Sequence, residues 1–489
     1  MRWAYTRRLR RPVLIIASCL AFFAGVLFAR AAELPDASWL WVCGVAVVFS
    51  LRKHNVVTLL LLVVLCFGVG WWRGSVYMQK LALHQTFHFQ KVTIEGRAVD
   101  DAVYGKRSQL EFTIANIRVA SDSTPLVGNM TIRGFGAAAV YRGDTVRATG
   151  TVYPTRGNNL ASMSFATLEV VQRGTSKLDA LRRDFVAGLQ SSLPEPAASF
   201  AAGILIGQRT TLPEATDEQL RRAGLTHIIA VSGYNLTIIV LACRRLLAKR
   251  SVFQATSACV ALIGLFLLMT GFSPPIVRAA VVSMLALGAW YFGRHIQSVV
   301  LLLTAAAITV LVNPLYLWGN VSWYLSFLAF FGVLVLAPLI TKRYMGGKEP
   351  HALVGILVES LCASLLVVPY ILHIFGEVSL VSLPANVLVI PFIPAAMLLA
   401  LIAGLAGMWT AALAGWFAWP ANMLITYMLD TAALLSRVPH AFITHIGFSG
   451  AYMWASYALI SAWCLSLRLK SKQKYATITD KTEIAKEGA

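Results

Sequence analysis

The chain has 489 residues, of which 57% are hydrophobic and 13% are charged, and its formal net charge is +20. Soluble domains carry about 25% charged residues, so this composition excludes an ordinary soluble protein and indicates a polytopic membrane protein. The excess of Lys and Arg has two interpretations. It fits the positive cytoplasmic loops of a membrane protein, and it also fits a surface for a polyanion; composition favours the first.

The first 72 residues are predicted to form a three-span membrane segment. Apolar runs cover 13–29, 39–51 and 56–72. The first run follows a cluster of arginines, as in a signal peptide, but the two runs close behind it favour a first membrane span. The basic residues predict a cytoplasmic N-terminus, and three spans then bring the chain out of the cytoplasm after Trp72.

Residues 73–175 show a different pattern, in which apolar and polar residues alternate in five short runs. Such alternation predicts β-strands. Five short strands suit a small extracytoplasmic β-barrel, with the OB type as the leading candidate and a sandwich as the alternative. Aromatic and basic residues near its loops are candidate contacts for nucleic-acid bases, although such residues also close small barrels. These candidates are Tyr104, Lys106, Arg107, Phe135, Tyr141 and Arg142.

Residues 176–225 are predicted to link this insert to the main membrane domain. An amphipathic helical pattern ends at Glu195-Pro196, and the apolar piece after it is too short to span a bilayer. That piece either lies at the interface or enters the membrane and returns.

Residues 226–467 hold nine further predicted spans, which brings the total to about twelve. Basic turns set their order, and the polar tail 468–489 is predicted to be a disordered cytoplasmic end. The nine spans lie near 226–242, 254–272, 276–292, 297–312, 321–341, 352–374, 379–408, 410–436 and 450–467.

The segment THIIAVSGYN places polar groups at the start of an apolar run. Ser232 and Asn235 share a helical face, Gly233 permits a bend or a close helix contact, and His227 lies near the outer edge. These residues either face a pore or form hydrogen bonds between helices. A catalytic Ser–His pair is a third interpretation, but no activating carboxylate lies nearby in the sequence.

Four other segments add candidate residues for a polar path. Arg278 follows a Pro-Pro turn, and it either extends to the interface or contacts phosphates along a conduit. Ser322 and Ser326 lie four residues apart on one helical face. Glu359 lies in the middle of an apolar segment, where a carboxylate is unfavourable; a structural ion pair is its alternative role. Asn386 lies in SLVSLPANVLVIPFIP, whose prolines predict a broken helix beside a cavity.

The sequence predicts no cofactor. All seven cysteines lie in or at the edge of apolar runs, without CxxC or Cys/His spacing, so no zinc site is expected. The chain also has no GxxxxGK[ST] loop for ATP. A driving force for transport must therefore come from elsewhere.

Several segments, taken in chain order, resemble the ComEC family of bacterial competence membrane proteins. They are GILIGQRTTL, GLTHIIAVSGYNL, TGFSPPIVRAA, SWYLSF and FGEVSLVSLPANVLVIP. The resemblance covers nearly the whole chain. It implies import of one DNA strand across the cytoplasmic membrane during natural transformation, through a channel formed by the helical domain, with the OB domain meeting incoming DNA. At matching positions it singles out His227, Ser232, Gly233, Arg278, Ser326 and Asn386.

The chain departs from the family pattern in two respects. Asn235 stands where the family usually has His, so a role that needs an imidazole does not carry over. The HxHxDH metal signature of the metallo-β-lactamase-like domain found in many members is absent, so we expect no hydrolytic metal site and no enzyme activity in this chain.

The resemblance also implies partners. They are single-stranded DNA, membrane lipid, a DNA receptor outside, an ATP-driven helicase or translocase inside and a separate nuclease, and a homo-oligomer is left open. The main alternative function is a small-molecule or lipid transporter with a gating extracytoplasmic domain. A membrane-embedded enzyme that uses Glu359 and His227 is the third interpretation.

Overall fold

The computed structural model describes most of the chain. The described residues are 9–34, 36–50, 55–104, 109–120, 125–126, 128–137, 139–154, 161–208, 212–229, 233–345, 351–409 and 411–487.

Helices make up most of the described chain. They are α1 Arg11–Phe28, α2 Trp39–Ser50, α3 Val56–Gln85, α4 Lys177–Ser192, α5 Ala197–Ile206, α6 Glu214–Arg222, α7 Thr226–Ile229, α8 Gly233–Leu246, α9 Val252–Thr270, α10 Pro274–Tyr291, α11 Ser298–Val312, α12 Leu315–Gly319, α13 Val321–Phe331, α14 Ala337–Tyr344, α15 Ala352–Phe375, α16 Ser382–Val389, α17 Ile393–Trp409, α18 Ala411–Ser436 and α19 Gly450–Glu487. A π-helical turn, Gly332–Leu336, joins α13 to α14, and a 3-10 turn, Ile390–Phe392, joins α16 to α17.

Among the described residues, seven helical segments are long and apolar enough to cross a membrane, as in a polytopic helical membrane protein. They are Arg11–Phe28, Val56–Ala82, Val252–Thr270, Pro274–Tyr291, Val321–Tyr344, Leu353–Phe375 and Ser382–Trp409. Each corresponds to one of the predicted spans.

The other predicted spans are shorter, divided or more polar. The first of the nine is split between α7 and α8, and α2 and α11 have only 12 and 15 residues. Helix α18 contains Pro420.

Local sequence explains where two central helices begin and end. The Ser251 side chain accepts a hydrogen bond from Gln254 N at 3.2 Å and caps the start of α9. Gly271, with φ of 82°, ends that helix in the left-handed region that favours glycine. Pro274 then occupies the first turn of α10, where its missing N–H leaves no hydrogen bond unmade.

The C-terminal tail is helical, and the prediction of a disordered end is wrong for the described residues. Helix α19 begins at Gly450 and continues to Glu487. The tail has five Lys, which favour helix, and it extends a helix that the apolar part of α19 has already nucleated.

A sheet domain lies between α3 and α4, and we call residues 91–172 the β domain. Its strands are β1 Lys91–Ala98, β2 Val103–Tyr104, β3 Leu110–Val119, β4 Pro125–Leu126, β5 Met130–Phe135, β6 Thr145–Pro154 and β7 Ala161–Gln172. The five longer strands match the five predicted runs.

The five longer strands pair in a ring. Strand β1 pairs with β6, β6 with β7, β7 with β5, β5 with β3, and β3 again with β1. All of these pairings are antiparallel except β5 with β7, which is parallel. Alternate residues point inward to a core that includes Ile94, Ile114 and Met163, while β2 and β4 pair only with β3.

Four charged residues, of which Asp179 and Arg182 are buried and Asp101 and Arg142 half-buried, join the β domain to the membrane helices, and we call them the charged junction. Arg182 Nη2 lies 3.0 Å from Asp101 Oδ2, and Arg142 Nε lies 3.6 Å from Asp179 Oδ1. Arg142 Nη1 also donates to the carbonyl oxygen of Leu268 near the end of α9. Burial lowers the pKa of the Arg142 guanidinium, and the adjacent Asp179 carboxylate opposes that shift.

Small residues build the core of the membrane domain. All ten residues of α5 are buried, in a cluster that also contains side chains of α4, α16, α17 and α18. Gly188 of α4 approaches Gly404 of α17 so closely that a Cβ added at Gly188 would lie 2.5 Å from the Gly404 oxygen. Small residues allow membrane helices to approach at this distance.

A candidate conduit of interrupted helices

Three interrupted helical segments meet in the core of the membrane domain. Helix α5 stops at Gly207, whose φ is 75°, and a Cβ added at Gly203 would lie 2.6 Å from Ile229 at the end of α7. The Asn235 side chain, fully buried on α8, donates to the carbonyl oxygen of Ile204 at 3.2 Å. This bond occupies one of the carbonyls that the end of α5 leaves without a helical partner.

The turn before α7 packs against the start of α16. A Cβ added at Gly224 would lie 2.5 Å from Ser382 Cβ and 3.2 Å from Ser379 Cβ, and Gly224 itself has φ of 75°. Ser379 Oγ donates to the carbonyl oxygen of Arg222 at 2.7 Å. The structure therefore brings together two segments that are far apart in the sequence.

His227 and Gly233 flank the gap between α7 and α8. The His227 side chain is exposed, and its Nδ1 lies 3.1 Å from the Gly224 oxygen. A Cβ added at Gly233 would lie 3.0 Å from Ala279 Cβ and 3.1 Å from Phe330, so any larger residue there would push α8 away from α10 and α13. Ser232 lies outside the described residues.

Arg278 is the centre of the second polar group. It is only 1% exposed. Its Nη2 donates to Ser322 O at 3.0 Å, to Ser322 Oγ at 2.8 Å and to Ser326 Oγ at 2.9 Å. Its Nε and Nη1 are buried and have no hydrogen-bond partner among the described residues. One nitrogen thus fixes the guanidinium, and two buried nitrogens keep unused donors.

Gly233 connects the two groups, because the residue that it contacts on α10, Ala279, directly follows Arg278. Helix α8 therefore packs against the helix that carries Arg278, although the contact is made by the neighbouring residue and not by the arginine side chain. Three of the sequence-predicted residues, Arg278, Ser322 and Ser326, form one hydrogen-bonded cluster.

Asn386 lies on α16, within the broken helix that the prolines predict. It is buried, and its Oδ1 has no hydrogen-bond partner among the described residues. The Oδ1 of half-buried Asn422 on α18 also has no hydrogen-bond partner among the described residues. Helices α16 and α18 are in contact through Tyr427, whose hydroxyl donates to Leu388 O at 3.3 Å. The sequence analysis missed Asn422, although an Asn inside an apolar helix is a usable signal.

Glu359 is exposed on α15. Within the part of the chain that the structure describes, it makes no hydrogen bond or ion pair. The structure does not bring it to Arg278, whose recorded side-chain partners are Ser322 and Ser326.

The β domain candidates have different environments. Phe135 and Tyr141 are exposed, and the Arg173 guanidinium lies over the Tyr141 ring at 5.5 Å. Arg142 belongs to the charged junction, so part of its hydrogen-bonding capacity is used. Lys106, Arg107 and the side chain of Tyr104 lie outside the described residues.

The described residues contain no group of three or more His, Cys, Asp or Glu side chains placed to hold a metal ion. What the region offers instead is a guanidinium, hydroxyls, amides and helix termini. These groups are suited to binding anions and polar ligands.

Fold and site together define a class: a polytopic helical membrane protein with a small sheet domain and interrupted helices in its core. The sequence model of the family described as "Competence protein" matches residues 204–472. The chain belongs to this family, the ComEC family of competence proteins.

Three curated proteins are similar to this chain in sequence. ComE operon protein 3 of Bacillus subtilis (strain 168) is 22% identical over 275 residues, 54% of this chain and 34% of that protein. Competence protein ComA of Neisseria gonorrhoeae is 25% identical over 287 residues, 56% of this chain and 39% of that protein. The uncharacterized protein YcaI of Escherichia coli (strain K12) is 25% identical over 234 residues, 44% and 30% respectively.

The matched part of this chain therefore covers between 30% and 39% of the length of these relatives. No solved structure matches the chain.

Proposed function

We propose that this protein conducts single-stranded DNA across the cytoplasmic membrane during natural transformation. Membership of the competence family supports a role in DNA uptake. The observation that carries the channel proposal is the convergence of three interrupted helices beside Arg278. Interrupted helices at membrane depth are tolerated where they line a cavity or are buried in protein, and transporters place substrate sites at such helix ends.

Arg278 is suited to contact a moving phosphate. Its planar guanidinium presents donors in a fork that matches phosphate oxygens, and the hydrogen bonds to Ser322 and Ser326 fix its plane. The amides of Asn235 and Asn386 and the hydroxyls of Ser322 and Ser326 in this region are neutral. A polymer must leave each site as readily as it enters, so one cation among neutral amides and hydroxyls favours passage over tight retention.

The β domain meets DNA outside the membrane in this proposal. The ring of strand pairings, with one parallel pair, supports a closed five-stranded barrel of the OB type. We propose that this barrel is extracytoplasmic and that both termini are cytoplasmic, because basic residues are concentrated near both ends of the sequence. Phe135 and Tyr141 are exposed and available for stacking on bases.

The chain needs partners for a complete import pathway. A receptor delivers DNA outside, an ATP-driven helicase or translocase pulls the strand inside, and a separate nuclease degrades the other strand. In this proposal the chain itself is not an enzyme. Glu359 lies off the DNA path in this proposal, because a carboxylate on the path would repel phosphates. Self-association of the chain is a separate proposal.

The test compares Arg278→Met with Arg294→Met. Arg294 follows the end of the same helix and is exposed, so its change is a matched loss of one charge. Uptake of labelled DNA by competent cells, with protein levels checked, should fall at least about tenfold for Arg278→Met and stay normal for Arg294→Met. Normal uptake by Arg278→Met would refute the role of Arg278.

Planar bilayers separate the proposal from the alternative transporter. A membrane potential drives a charged polymer without a motor, because each elementary charge gains about 2.3 kcal/mol per 100 mV. Purified protein should show current blockades that require a single-stranded oligonucleotide. A steady flux of a small solute that is independent of DNA would favour the small-molecule or lipid transporter.

A further inference from the structure

A cavity lies between the β domain and α4, beside the charged junction. Its volume is about 330 Å³, within the range of about 300–1,000 Å³ that is usual for small-molecule sites. Residues 101–102, 110 and 139–142 line it from the β-domain side, and six residues between positions 179 and 190 line it from α4. A ligand in this cavity would therefore touch both parts of the molecule.

One face of α4 borders the cavity along most of the helix. The bordering positions are 179, 182, 183, 186, 187 and 190, and spacings of three and four residues place them on one side of a helix. They extend over about 16 Å at 1.5 Å per residue. Another face of α4 packs on α17, where Gly188 approaches Gly404. The cavity is thus an elongated space, which suits a molecule better than a single ion.

The polar part of the lining carries an excess of positive charge. Three arginines and two aspartates border the cavity. The Asp101 carboxylate pairs with Arg182 at 3.0 Å, and the Asp179 carboxylate pairs with Arg142 at 3.6 Å. Arg183 is exposed, and among the described residues it makes no hydrogen bond or ion pair. It is therefore the uncompensated cation of the lining.

The pairing inside the charged junction is weak. Arg182 is only 8% exposed, yet its Nε has no hydrogen-bond partner among the described residues, and the same holds for Asp179 Oδ1. The bond from Arg142 Nη1 to Leu268 O is long, at 3.3 Å. Buried polar atoms are normally bonded, so these guanidinium groups retain capacity for an anion that binds beside them.

The cavity adjoins the end of a membrane span. Helix α9 is one of the seven spans and ends at Thr270, two residues after the carbonyl that Arg142 contacts. Leu265, Leu268 and Phe272 are exposed at this end of the helix. A ligand with its charged group in the cavity would thus have apolar surface beside it.

We propose that the cavity binds the phosphate group of a small anionic ligand, of the kind that an anionic phospholipid headgroup carries. Guanidinium forks match phosphate oxygens, and basic pockets beside membrane spans bind anionic headgroups. The ligand bridges the β domain and α4 and so stabilises their contact. This proposal goes beyond the proposed function and does not depend on it, because the cavity holds one small molecule and no residue of the Arg278 cluster lines it.

Three variants test the site. Arg183→Gln removes the uncompensated cation and breaks no recorded ion pair, so the melting temperature without ligand should not change. Lys177→Gln is the matched control: Lys177 is exposed on the same helix and outside the lining, about 120° around the helix from Arg183. Ala187→Phe fills the cavity from an exposed position and alters no charge.

The assay follows the melting temperature of delipidated full-length protein in a neutral detergent during titration with short-chain phosphatidylglycerol. A ligand that binds the folded state raises the melting temperature as its site fills. Half of the full shift should require at least about fivefold more lipid in Arg183→Gln than in the wild type. Ala187→Phe should lose the shift, and Lys177→Gln should behave as the wild type does.

A parallel titration with glycerol phosphate distinguishes the two sources of the phosphate. A shift equal to that with the lipid assigns the cavity to soluble phosphates, and no shift assigns it to lipid headgroups. Either result supports the proposal.

Three results would overturn the proposal. One is a wild-type protein that neither ligand stabilises, and another is a shift that Arg183→Gln and Ala187→Phe leave unchanged. The third is displacement of the lipid by a single-stranded oligonucleotide, which would assign the cavity to DNA. The uptake assay with Arg278→Met decides the proposed function separately, whatever the cavity variants do.

Discussion

Neutralising one member of the charged junction should loosen the β domain from the membrane domain more than neutralising two. The perturbation is Asp101→Asn, alone and combined with Arg182→Met. The Asp101 and Arg182 side chains lie 3.0 Å apart and keep only 16% and 9% exposure. Asn at position 101 retains an oxygen for the Arg142 N–H, which Asp101 Oδ1 accepts at 2.9 Å. The single change therefore removes the charge and little else.

The magnitude follows from burial. Removal of one partner of a fully buried ion pair costs about 3–5 kcal/mol, because the other charge stays buried without compensation. The two side chains are slightly exposed, which reduces the expected cost of Asp101→Asn to about 2–4 kcal/mol. Arg182 Nε already lacks a hydrogen-bond partner among the described residues. The double variant removes both charges and should cost about 1 kcal/mol or less.

Hydrogen exchange in nanodiscs measures this difference. Amides of α4 and of the adjoining end of β1 should exchange faster in Asp101→Asn, and near-normal protection should return in the double variant. Glu111→Gln is the control, because its pair with Arg133 is well exposed and should contribute under about 1 kcal/mol. Equal losses of protection in the single and double variants would refute the reasoning, since removal of the Arg182 charge would then bring no relief to the unpaired site.

Two further expectations concern the interrupted helices. Gly224→Ala should lower the melting temperature much more than Gly293→Ala: both positions have positive φ, but only at Gly224 would the new Cβ meet a neighbouring side chain, at 2.5 Å. A similar loss at both positions would contradict the close contact. Asn386→Leu should leave the melting temperature unchanged or raise it, because it removes a buried unpartnered oxygen. DNA uptake by the same variant should fall. A variant that unfolds without altering uptake per molecule would assign Asn386 a structural role only.

The regular elements follow from sequence periodicity. Strand β6 alternates buried and half-buried residues along most of its length, because one face meets the core and the other meets water, and that alternation predicts the five long strands. The two-residue strands β2 and β4 carry no such pattern. Apolar runs predict spans, but a run of apolar residues has the same composition whether it crosses a membrane or, like α5, is buried within the protein.

The site is only partly predictable, since its members meet through tertiary contacts. A carboxylate in an unpatterned turn, such as Asp101, gives no sign that it pairs with Arg182 on an amphipathic helix. The helical spacing of Ser322 and Ser326 did predict a shared face, because three- and four-residue spacings align on any helix. That this face accepts the Arg278 guanidinium depends on how α10 and α13 pack, which periodicity does not specify.

The incomplete bonding of Arg278 argues against a purely structural role. A guanidinium carries five N–H donors, and a buried charge with unused donors is unfavourable in any protein interior and more so in a membrane. Its recorded bonds all come from one nitrogen, Nη2. If Arg278 served only to hold α10 against α13, a small residue in its place, packed against the two serines, would hold the helices together without burying a charge. The penalty is offset if an anion reaches Nε and Nη1, which requires the packing around these buried atoms to open, and a phosphate would then meet a guanidinium already held in its binding orientation.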